Sequence, residues 1–241
     1  MSAFERVIEK KPRNFQLFYS FQGFYTSIFA TMTEIQKILK VATEMFFQFG
    51  IKSVSMDDIS KKLGMSKKTI YIYVENKEDL VRQTVNNHIL NSVYEIQAIF
   101  KDSSLNAIDL LVEVAKLNYG ILRQMNPSAV YDLKKYYKTC WEIVENHHQK
   151  FISDYIKDNL RTGIAQELYR NGLNVDIITK IYLSQLQIIS DVSLFSNNQF
   201  SIADVYVEFL KYHIFGISTE KGIKYFNKLM NKNESEQKKA V

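Results

Sequence analysis

The sequence predicts an all-α fold in which a small three-helix unit precedes a larger helical domain. Three observations support this prediction. The chain has 241 residues but only two prolines and eight glycines, which favours long helices over a strand-rich fold. Apolar residues recur three and four positions apart along most of the chain, as they do on one face of an α-helix. Short runs of glycine, serine and asparagine separate these periodic stretches.

Three short helices are predicted in the first third of the chain. The first begins after Thr33 and ends at Gly50, which can adopt the left-handed conformation common just past a helix. Ser55 can cap the second helix and Gly64 can end it, after which Ser66 can cap the third. Helices of this length are marginal on their own in water. Their apolar faces must therefore share one small core.

The third predicted helix carries an unusual outward surface of lysine, threonine, tyrosine and isoleucine. Lysine can donate to guanine or phosphate, isoleucine can contact a thymine methyl group, and hydroxyl groups commonly bind phosphates. Such a helix after a glycine turn is typical of a helix-turn-helix motif that enters the DNA major groove. The alternative is a solvated helix with an ordinary charged face. The candidate DNA contacts are Ser55, Lys67, Lys68, Thr69, Tyr71, Ile72, Tyr73 and Lys77.

The stretch from Phe49 to Leu80 resembles the DNA-binding domain of the TetR (TetR/AcrR) family of bacterial transcriptional regulators. The matching residues are Phe49-Gly50, Ser55, Leu63-Gly64-Met65-Ser66, Ile70-Tyr71-Ile72-Tyr73-Val74 and Lys77. The resemblance places Lys67, Lys68, Thr69 and Ile72 nearest the bases, and Ser55, Tyr71, Tyr73 and Lys77 against phosphates. Ser60 departs from the alanine usual in the second helix, and Lys68 stands where glycine or alanine is common, which can change the base that is read.

The resemblance also implies a helical C-terminal domain, dimerisation, and release from DNA when a small molecule binds. The expected domains are residues 32–80 for DNA binding and 81–230 for ligand binding and dimerisation, followed by a frayed polar tail at 231–241. Residues 1–31 are interpreted as an atypical extension, either disordered or an artefact of gene prediction. An added helix or a basic arm that touches DNA is the alternative for this segment.

The C-terminal part of the chain reads as successive helices. They are expected at about 77–100, 106–125, 128–137, 141–170, 175–195 and 201–215. The helix at 175–195 is apolar nearly all round, so it needs neighbours on every side. A second copy of the chain would supply one of them, and the alternative is burial inside a monomeric bundle. The expected homodimer interface contains Ile181, Leu186, Ile189, Val205 and Phe209.

A small-molecule effector would need an apolar pocket with a few polar groups in the C-terminal domain. For each candidate residue, the alternative is an ordinary core or surface position. The candidates are Tyr119, Tyr136, Tyr137, Trp141, His147, His148, Tyr155 and Gln185.

The remaining features fit a cytoplasmic regulator that binds double-stranded DNA. The net charge of +5 and the isoelectric point near 9.0 suit an anionic partner. The single cysteine, Cys140, excludes an intramolecular disulfide and agrees with a reducing compartment. The most apolar internal run, 181–189, is too short to span a membrane.

Enzymatic activity, a cofactor and a bound metal are not expected. There is no phosphate-binding glycine loop, and the adjacent His147 and His148 would point about 100° apart on a helix, which is poor for one metal ion. Two alternatives remain, a helical protein-interaction module and a DNA-binding protein without a ligand. The salt dependence of binding separates the first alternative from DNA recognition.

Overall fold

The computed structural model describes residue 8 and residues 33–189, 192–195 and 200–238. The expectations for residues 1–31 therefore lie outside the described residues, apart from Ile8. In the described part of the chain the structure is helical, and the only strand-like pairing is an isolated antiparallel bridge between Tyr169 and Ser218. The prediction of an all-α fold is confirmed.

The described residues from 33 onward form twelve α-helices. They are α1 Glu34–Phe49, α2 Met56–Leu63, α3 Lys67–Ile70, α4 Lys77–Phe100, α5 Ala107–Gln124, α6 Pro127–Tyr136, α7 Lys138–His147, α8 Ser153–Ala165, α9 Val175–Ile189, α10 Val192–Phe195, α11 Ile202–Ile217 and α12 Glu220–Lys238. A π-helical turn at His148–Ile152 lies between α7 and α8.

The described residues divide into two compact units. The N-terminal unit contains residues 33–95 and 124–147. The C-terminal unit contains residues 8 and 96–123 and the described residues from 148 onward. The helices α6 and α7 thus belong to the N-terminal unit, although the sequence grouped them with the C-terminal domain.

The core of the N-terminal unit joins the first helices to α6 and α7. Ile38, Ile59 and Ile70 supply one fully buried side chain each from α1, α2 and α3. The same cluster includes Leu133 of α6 and Cys140 of α7. The predicted shared core of the three short helices is confirmed, and α6 and α7 complete it.

The expected long helix at 141–170 is not continuous. The chain leaves the helix after Ala165, and Glu167 adopts a φ of 59°. The amide groups of both Leu168 and Tyr169 then donate to the carbonyl of Gly163. This turn places Tyr169 in the core of the C-terminal unit, where its side chain is fully buried. The burial of this large ring favours the early end of the helix.

Two other boundaries differ from the sequence prediction. The helix expected at 175–195 is described as α9 and α10, with residues 190 and 191 outside the described residues. The helix α12 continues to Lys238, so residues 231–238 are helical, where a frayed tail was expected. This segment is rich in lysine, glutamate and glutamine, which are good helix formers.

A buried histidine gives the C-terminal unit an expected pH dependence. The ring of His213 lies 4.9 Å from the ring of Tyr182 and 6.0 Å from that of Phe209. Burial lowers the pKa of His213 to about 4, whereas an unfolded histidine titrates near pH 6.5. Between these values the unfolded chain binds more protons than the folded chain. The free energy of unfolding should therefore fall as the pH drops from about 6.5 toward 4, by up to roughly 1.4 kcal/mol per pH unit.

Urea unfolding at pH 7 and pH 5 measures this effect. The variant His213→Phe should lose less stability between the two pH values than the unmodified protein does. An equal loss in both proteins would show that His213 is already protonated in the folded state near pH 5.

Candidate nucleic-acid interface

The turn between α2 and α3 is built by local hydrogen bonds. Gly64 ends α2 in the left-handed conformation, with a φ of 65°. The amide of Met65 donates to the carbonyl of Ser60 at 3.1 Å. The hydroxyl of Ser60 in turn donates to the carbonyl of Met65 at 2.5 Å. Ser60 thus stabilises the turn, a role that alanine could not perform.

Both helices of the motif are capped as the sequence predicts. The hydroxyl of Ser55 accepts from the amide of Asp58 at 3.2 Å, and the carboxylate of Asp58 accepts from the amide of Ser55 at 2.9 Å. Hydrogen bonds from the side chain and the backbone of Ser55 lower the pKa of Asp58. The hydroxyl of Ser66 accepts from the amide of Thr69 at 3.1 Å. The caps fix where each helix begins.

The outward surface that follows Ser66 is exposed, as predicted. Ile70 and Val74 are buried on either side of it and hold the segment against the core. Between them, Tyr71, Ile72 and Tyr73 are 46%, 72% and 38% exposed. The helix itself ends at Ile70, and the three exposed residues form a turn, whereas the sequence suggested a longer helix. This surface presents an apolar side chain between two hydroxyl groups.

Lys67, one of the residues predicted to contact bases, forms an ion pair. The ammonium group of Lys67 lies 2.9 Å from the carboxylate of Asp57 across the turn. The hydrogen bond to Asp57 raises the pKa of Lys67. Lys68 is exposed beside it, and Thr69 is half-buried. Because both members of the pair are largely exposed, a phosphate or a base acceptor can replace the carboxylate as the partner of Lys67 at little cost.

Lys77 is less exposed than expected of a phosphate contact. Its ammonium group is 3.5 Å from the carbonyl oxygen of Lys52. Partial burial lowers the pKa of Lys77. All eight candidate DNA contacts nevertheless lie in the N-terminal unit, on or next to the helix-turn-helix.

The candidate ligand residues divide between the two units. Tyr136, Tyr137, Trp141 and His147 lie in the N-terminal unit, and Tyr119, His148, Tyr155 and Gln185 lie in the C-terminal unit. Tyr155 packs its ring against those of Phe100 and Phe151, with centroids 4.4 Å and 4.5 Å away. Tyr119 is buried in the core, and Gln185 is half-buried. Within the described ranges, no three histidine, cysteine or acidic side chains are grouped as metal ligands.

The candidate dimer residues are not equally exposed. On α9, Ile181 is 48% exposed, whereas Ile189 is buried. Leu186, Val205 and Phe209 are partly buried against the core of their own unit. Ile177 and Ile188 of α9 are also exposed, as are Tyr212 and Phe215 of α11. Since Ile177, Ile181 and Ile188 lie on one face of α9, that helix presents an exposed apolar stripe.

No described helix combines the length and the apolarity needed to cross a membrane.

Comparison with known proteins points to one family. Residues 38–84 match the model of a family described as bacterial regulatory proteins, tetR family. The chain is 25% identical over 178 residues to YvaF of Bacillus subtilis, an uncharacterized HTH-type transcriptional regulator, and the match covers 70% of this chain and 88% of that protein.

Solved structures share the fold. A TetR-family transcriptional regulator from Agrobacterium tumefaciens aligns with a TM-score of 0.62 at 18% identity, over 77% of this chain and 97% of that chain. The transcriptional regulator FadR of Bacillus subtilis, solved in complex with stearoyl-CoA, aligns with a TM-score of 0.54 at 16% identity, over 76% of this chain and 98% of that chain. The family match covers the same residues that form the capped and exposed surface described above.

Proposed function

We propose that this chain, a member of the TetR family of bacterial transcriptional regulators, represses transcription by binding a palindromic operator as a homodimer. Its helix-turn-helix is a DNA-binding domain of that family. One observation carries the proposal: buried Ile70 and Val74 hold three consecutive exposed side chains outward beside Lys67 and Lys68. A cytoplasmic location follows from this role.

The chemistry of the surface suits the edges of base pairs in the major groove. Lys67 and Lys68 can donate to guanine acceptors, and Ile72 can contact a thymine methyl group. The hydroxyls of Tyr71 and Tyr73 flank Ile72 and suit phosphates. Side chains that read bases are thus bordered by side chains that fix the register of the helix on the duplex.

The apolar stripe on α9 supports a homodimer. Ile177, Ile181 and Ile188 expose a row of large apolar side chains, and Tyr212 on α11 is 82% exposed. Symmetric dimers commonly bury the same patch of both subunits. A dimer with two recognition helices reads two half-sites, so the operator is an inverted repeat.

Release by a small molecule is the second part of the proposal. FadR, which shares the fold, is described in complex with stearoyl-CoA, so this fold can hold a small molecule. In a homodimer, the two DNA-binding domains can take more than one spacing. A ligand that binds one spacing more tightly than the other would shift the equilibrium between them by that difference in affinity. If no small molecule in a broad screen changes operator affinity, the regulator acts constitutively or answers to another protein.

Two substitutions test the DNA-binding surface. Lys67→Ala should weaken binding to a duplex selected from a random pool by roughly tenfold to a hundredfold, since it removes a base or phosphate donor. Tyr71→Phe should weaken it by about tenfold to a hundredfold, since it removes one hydrogen bond to a charged phosphate, worth about 1.5–3 kcal/mol. Fluorescence anisotropy measures both effects.

The matched control is Lys224→Ala, which removes the same charge as Lys67→Ala from an exposed position on α12. Helicity should be unchanged in all three variants. If both Lys67→Ala and Tyr71→Phe bind as tightly as the control, this surface is not the DNA contact.

A further inference from the structure

We infer that four exposed side chains beside the helix-turn-helix form a second contact for the DNA phosphate backbone. They are Lys52, from the loop between α1 and α2, and Tyr131, Lys135 and Tyr136 of α6. We call these four residues the α6 row. The inference rests on the proposed function, because DNA is the ligand in both.

Each member of the α6 row contacts another member of the row. The ammonium group of Lys52 lies 4.3 Å from the centre of the Tyr136 ring. The ammonium group of Lys135 lies 5.4 Å from the same ring centre and donates to the hydroxyl of Tyr131 at 2.6 Å. The two tyrosine rings meet edge to face, with centroids 6.4 Å apart. Two cations and two hydroxyl groups are therefore held together on one exposed surface.

The charge of the α6 row is not neutralised locally. Among the described residues, neither Lys52 nor Lys135 forms an ion pair with a carboxylate, and both are instead seated on tyrosine rings. The nearby carboxylate of Asp132 is buried and accepts from the backbone amide of Lys52 at 2.7 Å. The two ammonium groups therefore remain available to an external anion.

The α6 row adjoins the predicted phosphate contacts. The carbonyl oxygen of Lys52 lies 3.5 Å from the ammonium group of Lys77, at the start of α4. Ser55, another predicted phosphate contact, is three residues beyond Lys52 in the chain. All of these residues belong to the N-terminal unit. The row thus extends the phosphate-binding edge of the helix-turn-helix onto α6.

The chemistry of the row matches phosphate oxygens. Lysine and tyrosine are both common phosphate contacts, and neither specifies a base sequence. Because the Tyr131 hydroxyl accepts its hydrogen bond from Lys135, its own proton stays free to donate to a phosphate. The hydrogen bond with Lys52 lowers the pKa of Tyr136, because a nearby cation stabilises the deprotonated hydroxyl. Continuity with Lys77 favours the DNA backbone over an acidic protein as the occupant.

A salt titration of DNA binding tests the inference. The double variant Lys52→Ala/Lys135→Ala is compared with Lys224→Ala/Lys228→Ala, which removes two exposed lysines from α12. The slope of log affinity against log salt should shrink by about 1 to 2 in the first variant only, because each lost phosphate contact contributes about 0.9. Affinity at low salt should fall by about tenfold, and equally for selected and random duplexes.

A second double variant, Lys52→Arg/Lys135→Arg, should keep the original slope because it keeps both charges. Thermal unfolding of all variants reports whether the fold is intact. The inference is overturned if the alanine double variant and its α12 control have the same slope while Lys67→Ala still weakens binding. If the unmodified protein shows no salt-dependent binding and Lys67→Ala has no effect, the proposed function itself fails.

Discussion

The variant Ile181→Asp is expected to be a monomer that no longer binds the operator. Ile181 is 48% exposed at the middle of the apolar stripe on α9. A carboxylate there would be buried without a partner in the dimer, which costs several kcal/mol. A monomer contacts one half-site only, so operator affinity should fall by roughly a hundredfold or more. Sedimentation and fluorescence anisotropy on the selected duplex measure the two effects.

The control for this variant is Asn171→Asp, which adds the same charge at an exposed turn of the C-terminal unit. It should remain dimeric and bind as the unmodified protein does. Unlike a core substitution, Ile181→Asp should leave the helicity of the isolated subunit unchanged. If the Ile181→Asp variant still formed a stable dimer, the α9 stripe would be excluded as the interface, and with it this explanation of the exposed isoleucines.

A large loss of stability is expected of Gly163→Ala. A Cβ atom at Gly163 would lie 2.0 Å from a ring carbon of Tyr169 and 2.2 Å from a second ring carbon. The ring cannot easily move, because it is fully buried and its hydroxyl donates to the side chain of Asn159 at 3.1 Å. Overpacking of this kind costs about 1 to 3 kcal/mol, and the depth of the overlap indicates the upper end.

Urea unfolding followed by circular dichroism measures the loss. The matched control is Gly120→Ala in α5, where an added Cβ meets nothing within 4 Å. That substitution should be neutral or raise the free energy of unfolding by up to about 1 kcal/mol, because alanine favours the helix. Equal stabilities of the two variants would mean that Tyr169 does not pack on Gly163.

The features that could be predicted from the sequence depend on neighbours within about four residues. Ser55 and Ser66 could be recognised as caps because each bonds an amide three residues later. Gly64 could be recognised as a helix end because its left-handed φ suits glycine. The burial of Ile70 and Val74 follows from their spacing on one face. These local rules were enough to define the candidate DNA-binding surface.

The features that were missed depend on contacts between distant parts of the chain. The backbone amide of Lys52 bonds to Asp132, 80 residues later, and that of Asn126 donates to the carbonyl of Phe47. No periodic pattern indicates that α6 packs on α1, so the sequence assigned α6 to the other group of helices. The early end of α8 has the same origin, since it depends on where Tyr169 packs.

The candidate ligand residues stay a prediction, because the sequence does not show which neighbours each aromatic side chain has. Tyr136, a predicted pocket residue, lies exposed beneath Lys52, and Trp141 packs against the core of the N-terminal unit. The pair of Asp57 and Lys67 was also missed, although an opposite charge ten residues away across a glycine turn could have indicated it.

The surface that follows Ser66 is expected to read duplex DNA twice per assembly. Selection of duplexes from a random pool with the full chain, followed by footprinting and a stoichiometric titration, tests it most directly. The predicted result is an enriched inverted repeat whose two halves are protected by two chains. The Lys67→Ala variant should show neither the enrichment nor the protection. Enrichment of one asymmetric site protected by a single chain, or no enrichment at all, would contradict this expectation.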